Sequence, residues 1–391
     1  MAVSIAFVLL LGLLANYLME RIKLPGLLGM LFVGILCGPY ALNIIQPELL
    51  KVSADLRMAA LIVILLRAGL ELRKDTLNRV GKTVMVMSCV PALFEGVVIT
   101  LLAPLLLDIT YLEAAILGSI IAAVSPAVVV PLMLNLIDER KGAKKGIPTL
   151  ILSASAIDDV FVIVVFTILL GMYSGSNSGT FLKLLEIPES IILGIIIGVI
   201  GGYAIHRIFE RFNLRATKMT LVIISTSILL TWLEEEAKTK LAISSLLGVM
   251  TIGFVLLEKS ETRAYKISQK LAKVWIFAEI LLFVLVGAQV NIKVAVSAGV
   301  MGAALICVGL AARSVGTYLS VLSADLNLRE RMFCVISYIP KATVQAAIGA
   351  VPLEMGVRGG EVILAVAVLS ILLTAPLGAI GISIAGRRWL K

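Results

Sequence analysis

The sequence predicts an all-α polytopic membrane protein of thirteen transmembrane helices, and three observations carry that prediction. Of the 391 residues, 60% are hydrophobic and only 15% charged, and a mean hydropathy of +1.07 is more apolar surface than a soluble core could hide. Apolar runs of about 18 to 25 residues recur along the whole length. The polar loops between them are too short to fold alone, so no soluble domain is expected.

The runs place helices at roughly 2–19, 24–42, 54–72, 80–107, 111–137, 147–172, 187–206, 217–233, 241–257, 274–290, 294–323, 331–353 and 361–386. The first, "AVSIAFVLLLGLLANYLM", lacks a basic leader and a small-x-small cleavage site, so it reads as a retained spanning helix. Cys37, Cys89, Cys307 and Cys334 all fall inside apolar runs without CxxC spacing, and they suggest small hydrophobes rather than disulfides or a metal site.

The net charge of +9 is distributed as topology. Loops after odd-numbered helices hold 24 basic residues, among them Arg140, Lys141, Lys144 and Lys145; loops after even-numbered helices hold six. The positive-inside rule then puts the odd exits and the C-terminus in the cytoplasm and the N-terminus outside. No nucleic-acid partner is needed to explain the basic loops, and "DERKGAKKG" lacks the full phosphate-loop pattern.

Eight ionisable residues remain inside apolar runs: Arg57, Arg67, Arg313, Lys341, Glu95, Asp158, Asp159 and Glu279. Arg57 and Arg67 are near enough to their helix ends to snorkel. Glu279 is expected at a helix contact or a cavity rim, and His206, the only histidine, at a cytoplasmic helix end.

With helix seven as a linker, helices one to six and eight to thirteen enter from opposite sides, as two inverted six-helix repeats would. Helix five contains "AAVSPAVVVP" and its counterpart, helix twelve, "SYIPKATVQA". Pro126 and Pro340 each remove a backbone donor in mid-membrane, where hydrocarbon cannot replace it. Two crossed discontinuous helices are expected there, with Thr343 just beyond the second break. A simple proline kink is the plainer reading of either one alone. Helices four and eleven also correspond, and they offer Glu95 and Arg313 as partners of opposite sign.

Helix six reads "LSASAIDDVFVIVVF" around Asp158 and Asp159. An aspartate at a helix centre costs roughly 2.5 to 3.5 kcal/mol, so the pair asks for about 5 to 7, which fifteen Ile, Leu, Val and Phe residues can offset at about 0.3 to 0.6 each. Adjacent residues point about 100° apart, so one carboxylate can meet a fixed partner while the other faces a cavity. Desolvation and a like-charged neighbour favour the protonated form of a carboxylate, and a nearby Arg or Lys favours the ionised form. A group so balanced can hold a proton until a cation displaces it. Asp159, Asp158, Ser155, Ser125 and the freed carbonyls of the broken helices supply oxygen ligands for a hard cation such as Na⁺ or Li⁺. A structural network with Arg313 and Lys341 competes with that reading. An aspartyl protease dyad needs carboxyls facing each other, usually from two helices, and no GxGD occurs; the chain is not expected to be an enzyme, and no cofactor is implied.

On "VSPAVVVP", the following "DD" and "PKATVQAAIG", the chain resembles the cation/proton antiporter superfamily, in the paired-aspartate branch that includes the bacterial NhaA and NapA sodium/proton antiporters. It looks most similar to their animal relatives, the NHA subgroup. The resemblance implies an NhaA-like fold and a homodimer, with residues 1–78 and 214–291 as dimerisation scaffold, 79–175 and 292–391 as mobile core, 176–213 as linker, and elevator-like transport. It also implies Asp159 as principal carrier of cation and proton, Asp158 as its companion, and Arg313 as the basic residue preceding the second break. NhaA-like members have Lys at that position, paired with the first Asp. Here Arg313 has two candidate partners, Asp158 and Glu95. The resulting expectation is exchange of Na⁺ or Li⁺ for H⁺ across the plasma membrane, with a K⁺/H⁺ exchanger or a sodium-coupled organic-anion symporter as alternatives.

Overall fold

The computed structural model describes residues 2–22, 24–71, 74–173, 180–212, 214–237 and 243–390. Lys23, Arg73, Lys238, Lys240 and Lys391 of the basic-residue count, and the expected boundaries at 175/176 and 213, lie outside the described residues.

In chain order the helices are α1 (Ala2–Arg21), α2 (Gly26–Cys37), α3 (Pro47–Lys51), α4 (Ser53–Glu71), α5 (Lys74–Leu107), α6 (Tyr111–Ile121), α7 (Pro126–Asp138), α8 (Ile147–Tyr173), α9 (Thr180–Arg211), α10 (Ala216–Ala237), α11 (Ser245–Lys259), α12 (Glu261–Ala288), α13 (Ile292–Ser297), α14 (Gly299–Ser320), α15 (Leu328–Ser337), α16 (Thr343–Ile348), α17 (Val351–Glu354) and α18 (Gly360–Trp389). The described residues contain no strand.

Among the described residues, nine helical segments are long and apolar enough to cross a membrane. The other four predicted segments contain helix but fall short of that through length or charge. The 24–42 run yields α2, 12 residues long, because Gly38 closes it with an N–H bond to Gly34 O and Pro39 follows. The 54–72 run yields α4, with Asp55, Arg57, Arg67 and Glu71 along it. The 241–257 run yields α11, 15 residues long, and 331–353 is divided among α15, α16 and α17.

The chain forms two compact units. One comprises Met1–Ala54, Val80–Tyr173 and Ile280–Lys391, and the other Asp55–Arg79 and Ser174–Glu279. In the second, Gly194, Gly198 and Gly202 recur every fourth residue along α9 and let α11 approach closely: a Cβ at Gly194 would lie 2.4 Å from Ser244 O, and one at Gly198 2.6 Å from Gly248 O. Small residues at such spacing are how helices pack where hydrocarbon gives no hydrophobic drive. Arg57 does not snorkel. It is 1% exposed, while Arg67 and Glu279 are half-buried.

In the first unit α18 is the hub, packed against α6, α7, α14, α15 and α16. A capping box starts each broken helix. Thr110 and Glu113 cap α6, and Asn327 and Glu330 cap α15; in each the side chains of cap and glutamate satisfy one another's backbone N–H. Each glutamate also reaches a turn in the other half of the chain. Glu113 Oε1 accepts from Gly359 N–H at 3.0 Å, ahead of α18, and Glu330 Oε2 from Lys145 Nζ at 3.0 Å, ahead of α8.

Candidate functional site

Both breaks lie in the first unit, and hydrogen bonding explains how they persist. α6 stops at Ile121 and α7 starts at Pro126, so Pro126 does not kink a helix: it opens a new one, at the first-turn position where its missing N–H is harmless. In the second, α15 stops at Ser337, Pro340 lies within the break, and α16 starts at Thr343.

Backbone groups released in a membrane interior must be satisfied by protein. Val124 N–H donates to Asp158 Oδ2 at 2.8 Å, and Ser125 N–H donates to Pro340 O at 2.8 Å, tying one break to the other. The carbonyls of Ile120, Ile121 and Ala123 accept from Gln345 Nε2 at 2.9, 3.3 and 3.0 Å. The Ala122 carbonyl accepts from Arg313 Nη1. Across the second break, Tyr338 O accepts from Arg313 Nε at 2.8 Å, and Lys341 N–H donates to Thr374 Oγ1 at 2.9 Å. Ser125 Oγ and Thr343 Oγ1 meet at 3.4 Å. The carbonyls of residues 120–123, and those of Tyr338 and Pro340, therefore each accept one bond already.

The same side chains organise the buried charges. Arg313 Nη1 is 3.1 Å from Glu95 Oε2, and its Nη2 is 3.2 Å from both Asp158 oxygens. The two candidate partners are thus both engaged. Lys341 Nζ lies 2.8 Å from the same Glu95 oxygen. The four side chains are at most 1% exposed, and the Tyr338 ring covers the guanidinium, its centroid 5.2 Å from Cζ.

Asp159 stands apart. It is 7% exposed, and its Oδ1 is buried with no hydrogen-bond partner. Ser155, one turn earlier on α8, donates its hydroxyl to Leu152 O at 3.0 Å, which leaves its lone pairs but not its proton for a ligand. With every group ionised, the cations Arg313 and Lys341 balance Glu95 and Asp158. One negative charge is left over, on Asp159, whose Oδ1 has no donor.

Three contributors escaped the sequence reading. Gln345 and Tyr338 lie inside the "SYIPKATVQA" stretch, and Thr374 sits in the apolar run of α18. A neutral polar residue within an otherwise apolar broken segment is the signal that marks Gln345; a tyrosine used through its backbone oxygen leaves none.

Residues 5–387 match the model of the sodium/hydrogen exchanger transmembrane family. The chain belongs to the sodium/hydrogen exchanger family. Human sodium/hydrogen exchanger 9B2 is 34% identical over 381 residues, covering 94% of this chain and 70% of that protein. Human sodium/hydrogen exchanger 9B1 is 29% identical over 382 residues, covering 94% and 73%. The solved structure of the sodium proton antiporter MjNhaP1 from Methanocaldococcus jannaschii at pH 8 superposes with a TM-score of 0.86 at 19% identity, covering 98% of this exchanger and 97% of that chain. The exchanger thus has the all-helical, multi-pass membrane fold of that antiporter, and cation/proton exchange is its activity class.

Proposed function

We propose that this exchanger moves Na⁺ or Li⁺ against H⁺, with Asp159 holding proton and cation in turn. The observation that carries the reading is the unmatched oxygen of Asp159, buried without a donor beside an Asp158 whose two oxygens are held by Arg313 and Val124 N–H. A buried, ionised carboxylate without a partner is costly, so either occupant lowers the energy of the site. Ser155 and Ser125 supply further hard oxygens, and Asp158 stays with its arginine.

The charge balance supports one-for-one coupling. With either a proton or a monovalent cation on Asp159, the five side chains and their occupant sum to zero, and only the empty site carries net charge. Desolvating that charge opposes movement of the empty carrier, which couples the two fluxes. Arg313 uses all five of its N–H groups on Tyr338, Glu95, Ala122 and Asp158, and its guanidinium does not release a proton.

The same reading extends to architecture. Thirteen spans in two inverted repeats around a linker are supported by the two breaks and by the paired capping boxes, whose glutamates each reach the turn before the next helix of the opposite half. Segments 79–175 and 292–391 act as the mobile core of an elevator-like cycle, and from Val80 to Tyr173 and from Ile292 onward they fall in one compact unit, which residues 1–54 also join. The scaffold segments 1–78 and 214–291 serve a homodimer in the plasma membrane, N-terminus outside and C-terminus in the cytoplasm.

The test is flux in proteoliposomes with Na⁺, Li⁺ and K⁺ offered separately at clamped membrane potential. Wild-type protein is expected to move protons against Na⁺ or Li⁺ independently of potential, and Asp159→Asn to abolish that flux while remaining folded. Wild-type flux in the variant sinks the assignment; flux driven by K⁺ alone changes the substrate.

A further inference from the structure

Gln345 is fully buried on the first turn and a half of α16, immediately past the second break, yet its carboxamide nitrogen is spent on the first. Inside an intact helix the carbonyls of Ile120 and Ile121 would accept from Val124 and Ser125 N–H. Those donors are diverted, one to Asp158 and one to Pro340 O. The Gln345 amide stands in for them and reaches the Ala123 carbonyl as well.

Arg313 also bridges the breaks, through the Ala122 and Tyr338 carbonyls, and the remaining ties are few. Ser125 and Thr343 meet through contacts of 3.4 Å, too long to hold either hydroxyl firmly. Among the described residues, Ser125 N–H to Pro340 O is the one backbone bond between the breaks. Gln345 holds the carbonyls of residues 120, 121 and 123 and Arg313 that of Ala122, and through this segment Gln345 bears on the neighbours Val124, which donates to Asp158, and Ser125, whose hydroxyl faces Thr343.

We propose that Gln345 is a positioning residue for the cation: by holding the carbonyls of the first break it sets where the Ser125 oxygen and the Asp158–Asp159 pair stand relative to one another, and so sets cation affinity. The proposal rests on the exchange reading above. Its mechanism is geometric. A cation ligated by oxygens from separate elements is bound only as tightly as those elements are registered, whereas a purely structural glutamine would change the amount of folded protein and leave the affinity of what remains.

Two variants test it in proteoliposomes, with Na⁺ and Li⁺ titrated at fixed pH and melting followed in detergent. Gln345→Leu keeps the bulk and deletes the donors; its cation KM is expected to rise tenfold or more, with a smaller change in maximal rate. Gln345→Glu can donate one hydrogen bond only when protonated, so its flux relative to wild type is expected to climb as pH falls. A KM within twofold of wild type in folded Gln345→Leu overturns the proposal. If that variant does not fold, the pH series decides alone, and a ratio that is flat with pH, zero included, overturns it. Wild-type protein that moves no protons would instead sink the exchange reading, and the proposal with it, whereas an active wild type with an unchanged variant KM sinks only the proposal.

Discussion

Arg313 holds Asp158 by both carboxylate oxygens, its Nη2 lying 3.2 Å from each. The adjacent Asp159 has no donor on its Oδ1, so neighbours in sequence have opposite roles in stability. Removing one partner of a buried pair typically costs about 3–5 kcal/mol, because the other charge is left uncompensated. Asp158→Asn is expected to lower the melting temperature of the purified protein markedly, since Arg313 loses its counter-charge and one of the two oxygens shared by Arg313 and the Val124 N–H becomes a donor. Asp159→Asn removes an unmatched charge and is expected to melt at or above wild type. Equal melting of the two variants would mean that the division of labour is wrong.

Arg313→Lys tests why the residue is an arginine. Five donors in a planar fork reach two carboxylates and one carbonyl from each break; an ammonium has three and cannot span them. The Tyr338 and Ala122 carbonyls cannot both be served, and each buried carbonyl left unsatisfied costs about 1–3 kcal/mol. The variant is expected to be less stable and slower in transport. A lysine can also release a proton, so its flux is expected to become sensitive to an imposed membrane potential; potential-independent flux at the wild-type rate would count against the role given to Arg313.

Much of this was legible in the sequence, and what was not follows a physical rule. Hydropathy locates helices because burial in lipid is a property of each run by itself. Pro126 and Pro340 announced the breaks because a missing N–H is local. The partner of Arg313 was not local. It depends on bringing together Glu95, Asp158 and Tyr338 from three other segments, and the pairing that sequence posed as a choice between Asp158 and Glu95 is a shared contact. The burial of Arg57 was misread for the same reason, since snorkelling was inferred from distance to a helix end and not from what packs around α4. Gln345 lay in plain view within "PKATVQAA", but a role that consists of three carbonyls some 220 positions away in the sequence has no local pattern.

The two capping glutamates predict an asymmetry between the ends of the first unit. Glu113 is 2% exposed and accepts from the Thr110 N–H and hydroxyl, Gly359 N–H and Tyr173 hydroxyl. Glu330 has the same capping role, but its cross-link is a surface ion pair with Lys145, whose side chain is 36% exposed. Exposed pairs contribute about 0.2–1 kcal/mol and are screened by salt. Lys145→Ala is therefore expected to change melting by little, and by less at high ionic strength. Glu330→Ala loses a capping box, worth about 0.5–2 kcal/mol. Glu113→Ala is expected to cost the most, because it also strands the Gly359 N–H. Thermal melting of the three variants at low and high salt gives the order; Lys145→Ala as damaging as Glu113→Ala would contradict it.

Gly378 shows how tightly the second break is held from behind. It lies on α18 against the Pro340 ring, and a Cβ there would fall 2.2 Å from Pro340 Cγ and 2.7 Å from Cδ. A proline ring cannot rotate aside as a flexible side chain would, so Gly378→Ala must displace the backbone of the break. That backbone carries the Pro340 carbonyl to which Ser125 N–H donates, and Lys341, which holds Glu95. Overpacking of this kind typically costs about 1–3 kcal/mol, and here the displacement falls directly on the junction between the breaks. The variant is expected to lose most of its cation-driven proton flux with only a moderate fall in melting temperature. Gly299, where an added Cβ meets nothing within 4 Å, provides the control: Gly299→Ala should leave both quantities near wild type. Gly378→Ala with undiminished flux would show that the second break tolerates movement, and that the register between the two broken helices is set elsewhere.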